Sequence, residues 1–354
     1  MMPPMVLVGR GLALKPRQWL KGLAPGGSLM LVSEPKAWRL HGARVAAAWR
    51  RAGIRTSRHL LPGGEKAKTW DAVSRLIREM LREGLGRDST LLALGGGSVT
   101  DAAGFAAAVY MRGIPWLSLP TTLVGQVDAG IGGKTAIDLA EGKNLVGAFH
   151  QPWAVVCDTD FLSTLSRRER LCGLAEAVKL GMVRDPLLLS GLRRDWPRLL
   201  DGEPASLERW IRRAAAGKAS VVGRDPRETA GLREILNFGH TIGHAVEAAA
   251  GFGPLRHGEA VVCGLRAALR LSQAHAGLPA RTAADLDAFL SGLPLPRLRL
   301  RASAVLRALR RDKKARRGRP RFVLLKDLGR PLLTANVSES SIRQAVRFVL
   351  GEMR

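Results

Sequence analysis

The sequence predicts an α/β N-terminal domain followed by a helical C-terminal domain. Short apolar runs alternate with stretches of helical periodicity in the first half, and one run ends in the glycine triplet Gly95–Gly97. Strand-like runs vanish after about Ser166, where helical periodicity dominates. We therefore place the domain boundary between residues 160 and 161, which gives domains of residues 1–160 and 161–354.

The individual elements follow from this alternation and from the positions of glycine and proline. Five short buried strands are predicted at residues 5–9, 29–33, 90–94, 116–119 and 154–158. An amphipathic helix is predicted at Arg39–Gly53, and the Pro62–Gly64 turn leads into another at about 69–84. Near the C-terminus, residues 321–325 predict a small strand and residues 338–353 a closing helix.

The composition is that of a soluble globular protein. Hydrophobic residues make up 46% of 354 residues, and the mean hydropathy is near zero. No apolar run reaches the ~18–20 residues of a membrane span, and the first residues do not have the pattern of a signal peptide. We therefore expect no membrane partner. The three cysteines are scattered, without C-x-x-C spacing, which indicates a reducing cytoplasm.

The formal net charge of +26 indicates an anionic partner. The only dense basic run is Arg307–Arg321, and most other arginines lie on helical segments as a solvated face would. Aromatic residues are only 5% of the chain and are not interleaved with the basic run, as a platform for single-stranded nucleic acid would require. The pattern therefore favours small anionic molecules over nucleic acid.

Two glycine-rich segments have the composition of phosphate-binding sites. Gly95–Gly97 between a strand and a helix leaves room for a dinucleotide pyrophosphate, although it is not a G-x-G-x-x-G motif. Lys134 and Lys143 each follow glycine, with Asn144 nearby, and they predict an anion cradle without Walker spacing. Lys68 follows a Pro-Gly-Gly turn, where it either meets a phosphate or is a solvated helix start.

The histidines predict a metal site. His240 and His244 are four residues apart and share one helical face, and His257 follows a glycine- and proline-containing turn. Glu176, three residues before Lys179, could supply a further ligand, since catalytic Zn2+ takes three protein ligands. A packed, hydrogen-bonded histidine pair is the alternative, and the absence of H-E-x-x-H argues against a zinc protease.

Taken in order, these motifs resemble the 3-dehydroquinate synthase family. The segments that carry the resemblance are Gly95–Asp101, Tyr110–Gly113, Pro120–Thr122, Gln126–Asp128, Gly132–Thr135, Gly142–Asn144, Gly173–Lys179, Gly231–His240, His257–Glu259 and Asp312–Lys314. The resemblance implies a Rossmann-like NAD-binding N-terminal domain and an all-α metal-binding C-terminal domain, with the active site in the cleft between them. It also implies a cytoplasmic homodimer.

The implied reaction converts 3-deoxy-D-arabino-heptulosonate 7-phosphate to 3-dehydroquinate and phosphate, in the shikimate pathway to aromatic amino acids. In this family NAD+ transiently oxidises a secondary alcohol, phosphate is eliminated, the ketone is reduced again, and the opened ring closes by an aldol step. NAD+ is therefore catalytic, and the divalent metal is Zn2+, with Co2+ as a possible substitute. The partner is a phosphorylated sugar acid, which gives the basic residues a reason to be present.

The resemblance also implies roles for individual residues. Its zinc ligands are Glu176, His240 and His257. Its phosphate-binding set is Lys134, Asn144, Asn237, His244, Arg112 from across a dimer interface, and one of Lys313 and Lys314. Carboxylate binding falls to Lys218 and Arg233, and the polar lining near the ring is Asp128, Lys143 and Lys179. The NAD contacts are Glu65, Lys68, Gly96, Gly97, Asp101, Thr121, Thr122, Phe161, Thr164, Leu165 and Glu169.

Three alternatives remain open at this point. A related sugar-phosphate cyclase would act on sedoheptulose 7-phosphate or glucose 6-phosphate, but Lys218 and Arg233 argue for a substrate with a carboxylate. Metal-dependent alcohol or glycerol dehydrogenases tend to carry lysine where this chain has Gly104. A nucleic-acid-binding protein would use the basic run near the C-terminus. One departure from the family pattern is Asp138, where asparagine is frequent.

Overall fold

The computed structural model describes residues 4–20, 28–251, 253–311 and 320–351. Its strands are β1 (Met5–Gly9), β2 (Leu29–Ser33), β3 (Thr56–Leu60), β4 (Thr90–Gly95), β5 (Trp116–Pro120), β6 (Lys134–Leu139), β7 (Gly142–Phe149), β8 (Ala154–Asp158), β9 (Phe322–Asp327) and β10 (Arg330–Thr334). Its helices are α1 (Pro16–Trp19), α2 (Pro35–Ala37), α3 (Ala43–Arg51), α4 (Trp70–Arg82), α5 (Gly97–Val109), α6 (Arg167–Val183), α7 (Pro186–Arg194), α8 (Trp196–Asp201), α9 (Pro204–Arg224), α10 (His240–Ala249), α11 (His257–Ala276), α12 (Ala280–Ser291), α13 (Ala302–Arg311) and α14 (Glu339–Gly351). Short 3-10 or π-helical turns lie between several of them.

The chain divides into two compact units, and each unit consists of two separate segments of the sequence. Unit 1 comprises Met1–Gly173 and Arg198–Arg227, whereas unit 2 comprises Leu174–Pro197 and Glu228–Arg354. The division falls inside helix α6, and the chain returns to unit 1 for most of α8 and for α9. The domain boundary predicted at 160/161 is a single cut, and it stays a prediction.

Unit 1 is built on a six-stranded parallel sheet in the order β1-β8-β5-β4-β2-β3. Its central strands β8, β5, β4 and β2 are buried along their whole length and mostly apolar, because a parallel sheet covered on both faces buries both sets of side chains. In β2, Met30 and Val32 belong to one core cluster, and Leu29 and Leu31 belong to another. Helix α5 packs in the first cluster, and Trp49 of α3 packs in the second. The predicted α/β class of this half is confirmed.

Unit 2 is helical apart from the antiparallel hairpin of β9 and β10. Helices α10 and α11 approach each other so closely that side chains are excluded at the crossing. A Cβ on Gly264 would lie 1.9 Å from the carbonyl oxygen of Gly239, and a Cβ on Gly243 would lie 2.9 Å from that of Ala260. These three glycines, which we call the glycine seam, fix the separation of the helices that carry the histidines.

The five strands predicted in the first half are confirmed, with small shifts in their ends. The sequence analysis missed β3, β6, β7 and β10. Strands β6 and β7 pair as an antiparallel hairpin in which Val146 and Ala148 face the core, while Leu145 and Phe149 are exposed. Its glycine-rich ends concealed this alternation.

The remaining predictions concern helices and the membrane. The helix predicted at residues 39–53 is divided into a π-helical turn at Trp38–Gly42 and α3. The helices predicted at 69–84 and 338–353 correspond to α4 and α14. Among the described residues, none of the helices is both long and apolar enough to span a bilayer. Most of the basic run Arg307–Arg321 lies outside the described residues.

Candidate active site

The histidines of unit 2 converge on the buried carboxylate of Glu176. His257 Nε2 lies 3.0 Å from Glu176 Oε1, and His240 Nε2 lies 3.5 Å from the same oxygen. The ligand atoms of His240, His244 and His257 all lie within 4.8 Å of one another. Lys179 places its ammonium 2.5 Å from Glu176 Oε2. We call these five residues the metal cluster, since three imidazoles and a carboxylate make a donor set suited to a divalent transition metal.

The secondary structure explains this convergence. His240 and His244 occupy the first two turns of α10, and their rings are 5.1 Å apart, as the i, i+4 spacing predicts. His257 is the first residue of α11, and the glycine seam brings that helix against α10. Glu176 and Lys179 lie three apart on α6, both almost completely buried. Glu176 and Lys179 therefore form the buried floor of the site, whereas His244 and His257 are partly exposed.

Charge within the metal cluster is shared between one acid and several bases. Burial alone would raise the pKa of Glu176, but Lys179 and His240 outweigh burial and hold that pKa well below its ordinary value. Burial and the Lys179 charge lower the pKa of His240. His257 is also desolvated, but hydrogen bonds to Glu176 and Glu247 raise its pKa to about 10. A divalent cation bound here would take the place of a proton.

In unit 1 the glycine triplet forms the turn between β4 and α5. Helix α5 begins after Gly96 without a side-chain cap, so its first N–H groups are available to an anion. A Cβ on Gly96 would lie 3.2 Å from Thr122 Cγ2, and one on Gly97 would lie 3.4 Å from Ala129 Cβ. Thr121 donates its N–H to the carbonyl of Gly95. This turn is a cradle that side chains would fill, and it suits a pyrophosphate.

A group of polar and charged residues in unit 1 is centred on Lys68. We call Lys68, Asp101, Asp138 and Asn144 the lysine cluster. The ammonium of Lys68 donates to Asp101 Oδ2 at 2.8 Å and to Asn144 Oδ1, and it lies 3.7 Å from Asp138 Oδ1. Asn144 has a left-handed backbone, with φ of 57°, and donates its N–H to Asp138 Oδ1. The buried Lys68 is therefore not a solvated helix start.

The predicted anion cradle of two lysines is spread along the β6–β7 hairpin. Lys134 opens β6 opposite Phe149, whereas Lys143 lies next to Gly142 at the turn, four residues further along the pairing. At ~3.3 Å per residue this register separates them by roughly 13 Å along the strands. Lys143 Nζ lies 3.8 Å from Glu65. The hairpin therefore presents the two lysines at different ends.

A separate ion pair in unit 1 joins two residues that are far apart in sequence. The ammonium of Lys218, on α9, donates to the carboxylate of Asp128 in the π-helical turn Gly125–Ala129. Lys218 is 8% exposed, so the pair is largely desolvated. In unit 2, Arg233 is also buried, in the 3-10 turn Leu232–Asn237 that precedes α10.

The other predicted site residues lie on well-defined elements. Phe161 and Thr164 occupy the 3-10 turn after β8, where the ring of His41 packs 4.7 Å from Phe161. Leu165 directly follows that turn, and Glu169 lies in the first turn of α6. Arg112 ends the 3-10 turn after α5, with φ of 68°. Lys313 and Lys314 lie outside the described residues.

The sequence analysis did not single out Glu247, whose carboxylate Oε2 lies 3.2 Å from His257 Nδ1. A signal was available, because Glu247 lies three residues after His244 and seven after His240, on the same helical face.

The structure also explains why a glycine stands at position 104. A Cβ there would lie 2.5 Å from Thr135 Cγ2, so the lysine of the dehydrogenases has no room.

Comparison with known proteins gives a consistent result. Two family models match in succession, 3-dehydroquinate synthase N-terminal over residues 58–172 and 3-dehydroquinate synthase C-terminal over residues 173–315. A 3-dehydroquinate synthase of Bordetella pertussis is 43% identical over 325 residues, which covers 91% of this chain and 90% of the relative. The chain belongs to the 3-dehydroquinate synthase family. The resemblance drawn from the sequence motifs, and with it the expectation of an enzyme of this activity, is confirmed.

Solved structures agree with membership of the 3-dehydroquinate synthase family. A 2-epi-5-epi-valiolone synthase from Streptomyces hygroscopicus subsp. jinggangensis 5008, with NAD+ and Zn2+ bound, has a TM-score of 0.87 at 28% identity and covers 99% of this chain and 98% of its own. A 2-deoxy-scyllo-inosose synthase complexed with carbaglucose-6-phosphate, NAD+ and Co2+ has a TM-score of 0.87 at 25% identity, covering 97% and 96%. The higher identity to the Bordetella relative favours dehydroquinate synthesis over these cyclase activities.

Proposed function

We propose that the chain converts 3-deoxy-D-arabino-heptulosonate 7-phosphate to 3-dehydroquinate and phosphate, and that it acts in the shikimate pathway. The observation that carries this proposal is the metal cluster, in a chain 43% identical to a 3-dehydroquinate synthase. A substrate with a phosphate and a carboxylate also matches a net charge of +26, which steers anions toward the protein.

We propose Glu176, His240 and His257 as the ligands of a divalent metal, Zn2+ or Co2+. The fit is supported by the burial of Glu176 and by the two Nε2 atoms that face its Oε1. When bound, such a metal acts as a Lewis acid toward the hydroxyl and carbonyl oxygens of a substrate. His244 points into the same group of imidazoles, and we assign it, with Lys179 and Asn237, to substrate.

We propose NAD+ as the second cofactor, held by unit 1. The uncapped start of α5 at Gly96 and Gly97 suits the pyrophosphate, and the lysine cluster offers a fixed ammonium and carboxylate to polar groups of the nucleotide. Thr121, Thr122, Phe161, Thr164, Leu165, Glu65 and Glu169 complete the set. When bound, NAD+ accepts a hydride from a secondary alcohol and returns it.

We propose that charged side chains bind the two anionic ends of the substrate. Lys218 and Arg233 are assigned to the carboxylate, because a guanidinium fork matches its planar geometry. Lys218 pairs with Asp128, so that ammonium is already oriented and would exchange one carboxylate for another. Lys134, Lys143, Asn144 and Arg112 are assigned to the phosphate end and the ring hydroxyls.

We propose a cytoplasmic homodimer. Exposed apolar side chains on neighbouring segments of unit 1 support a protein interface: Val109, Met111, Leu145, Phe149 and Trp153 are each between 38% and 42% exposed. Cys157, Cys172 and Cys263 are buried free thiols, as expected in a reducing compartment.

The decisive experiment measures phosphate release from the heptulosonate phosphate, with sedoheptulose 7-phosphate and glucose 6-phosphate in parallel. We expect release from the heptulosonate phosphate alone, dependent on NAD+, abolished by a chelator and without net NADH. Release from either sugar phosphate instead would indicate another cyclase. Net NADH from simple alcohols without phosphate release would indicate a dehydrogenase.

A further inference from the structure

Each of the two imidazoles that face Glu176 has a hydrogen-bond acceptor next to its Nδ1. His240 Nδ1 lies 3.3 Å from the carbonyl oxygen of Phe238, and His257 Nδ1 lies 3.2 Å from Glu247 Oε2. With Nδ1 donating a hydrogen bond, Nε2 is the nitrogen of each ring that faces Glu176 and can offer its lone pair to a metal once it has lost its own proton. The two rings therefore both turn Nε2 toward Glu176, with their planes 68° apart, but they differ in the acceptor at Nδ1, a carbonyl for His240 and a carboxylate for His257.

Glu247 lies in the last turn of α10 and is 8% exposed. A carboxylate in such a place destabilises the fold unless it is paired or hydrogen-bonded. His257, by contrast, is the first residue of α11, and its side chain is 38% exposed. The hydrogen bond between them ties the imidazole of one helix to the carboxylate of the other.

We propose that Glu247 is a positioning residue that fixes the tautomer and orientation of His257 for a divalent metal. The inference rests on the metal site proposed above, and it adds an outer partner to that site. A carboxylate also makes the imidazole a stronger donor than a carbonyl does, which distinguishes His257 from His240. Glu247 acts only through His257 and is not assigned any contact with substrate.

The test compares metal binding in three variants. Glu247→Ala removes the acceptor, and Glu247→Gln keeps an acceptor oxygen but removes the charge. Glu259→Gln is the matched control, because Glu259 is also a buried carboxylate near His257 but accepts the main-chain N–H of Arg256. Dissociation constants for Zn2+ and Co2+ are measured by competition with a chromophoric chelator, and the Co2+ absorption spectrum reports the ligand geometry.

We expect Glu247→Ala to weaken metal binding by about 10- to 100-fold and to change the Co2+ spectrum, with Glu247→Gln intermediate. Glu259→Gln keeps the affinity of the wild type. Equal affinity and identical spectra in the wild type and both Glu247 variants would overturn the inference and leave the metal site standing. Loss of affinity in Glu259→Gln equal to that in Glu247→Gln would also overturn it, since any nearby buried carboxylate would then suffice. A wild-type protein that binds neither metal would overturn the metal site and the inference together.

Discussion

The lysine cluster of unit 1 and the metal cluster of unit 2 are opposite arrangements of charge. In the first, one ammonium, Lys68, is surrounded by the acids Asp101 and Asp138. In the second, one carboxylate, Glu176, is surrounded by an ammonium and imidazoles. Both central groups are buried, so each requires its partners to offset the loss of solvation.

The difference lies in which partners can change their charge. Lysine and aspartate keep their charges near neutral pH, so the lysine cluster is a fixed set of hydrogen-bonding groups. An imidazole, by contrast, can give up its proton and bind a metal through the freed lone pair, so the metal cluster can exchange a proton for a cation. The comparison separates a buried ion pair, which offers fixed hydrogen-bonding groups, from a carboxylate among imidazoles, whose donor atoms suit a cation.

The largest expected effect comes from Glu176→Gln, which removes the central charge of the metal cluster. We expect metal affinity and turnover to fall together by more than about 100-fold, beyond the range for outer partners. Metal content by mass spectrometry and phosphate release measure the two quantities. Asp101→Asn makes the same chemical change in the lysine cluster and should leave the metal content intact. A Glu176→Gln protein with full metal content would break the distinction between the clusters.

The second effect concerns Lys68→Met, which keeps most of the apolar stem of the side chain but removes the ammonium. Hydrogen bonds from charged groups contribute about 1.5–3 kcal/mol, so we expect NAD+ binding to weaken by roughly 10- to 100-fold. Titration calorimetry with NAD+ measures this constant. Metal affinity should not change, and a parallel loss of metal would show that the two clusters are not separate.

A smaller effect is expected for Asp138→Asn, which restores the residue frequent in the family. Asp138 Oδ1 lies 3.7 Å from the Lys68 ammonium, whereas Asp101 remains at 2.8 Å. The loss of such a secondary pair costs up to about 1 kcal/mol, so NAD+ affinity should change by less than about fivefold. A change as large as that of Lys68→Met would mean that Asp138 is the principal partner of the lysine.

The smallest effect is on stability at alkaline pH. Burial lowers the pKa of Lys68, but Asp101, Glu65 and Asp138 outweigh burial and raise it above 10.5. A pKa raised by folding stabilises the protein fully below the unfolded value, and this contribution is lost as pH rises through the folded value. The difference in unfolding free energy between wild type and Lys68→Met should therefore shrink above pH 10.5. Denaturant titrations across that range measure it, and a constant difference would contradict the assignment.

Much of the metal cluster could be predicted from the sequence, and little of the lysine cluster could. The i, i+4 spacing of His240 and His244 is a helical signal, and the sequence also offered His257 and Glu176 as candidates; the family resemblance then selected Glu176, His240 and His257 as the ligands. Lys68 meets Asn144 only because an unrecognised hairpin returns to it. Lys218 and Asp128 are ninety positions apart, and no local pattern joins them. Contacts of this kind depend on sheet register and helix packing, which a single sequence does not reveal.

The glycine seam makes the spacing of the metal-binding side chains a property of the main chain. An added methyl group at Gly239, Gly243 or Gly264 would act as a wedge between α10 and α11 and move His240 away from His257 with every donor atom still present. Loss of activity at these positions would then resemble loss of a ligand, although no ligand had been altered. For protein engineers, these three backbone positions are a handle on the spacing of the imidazoles that requires no change to the histidines.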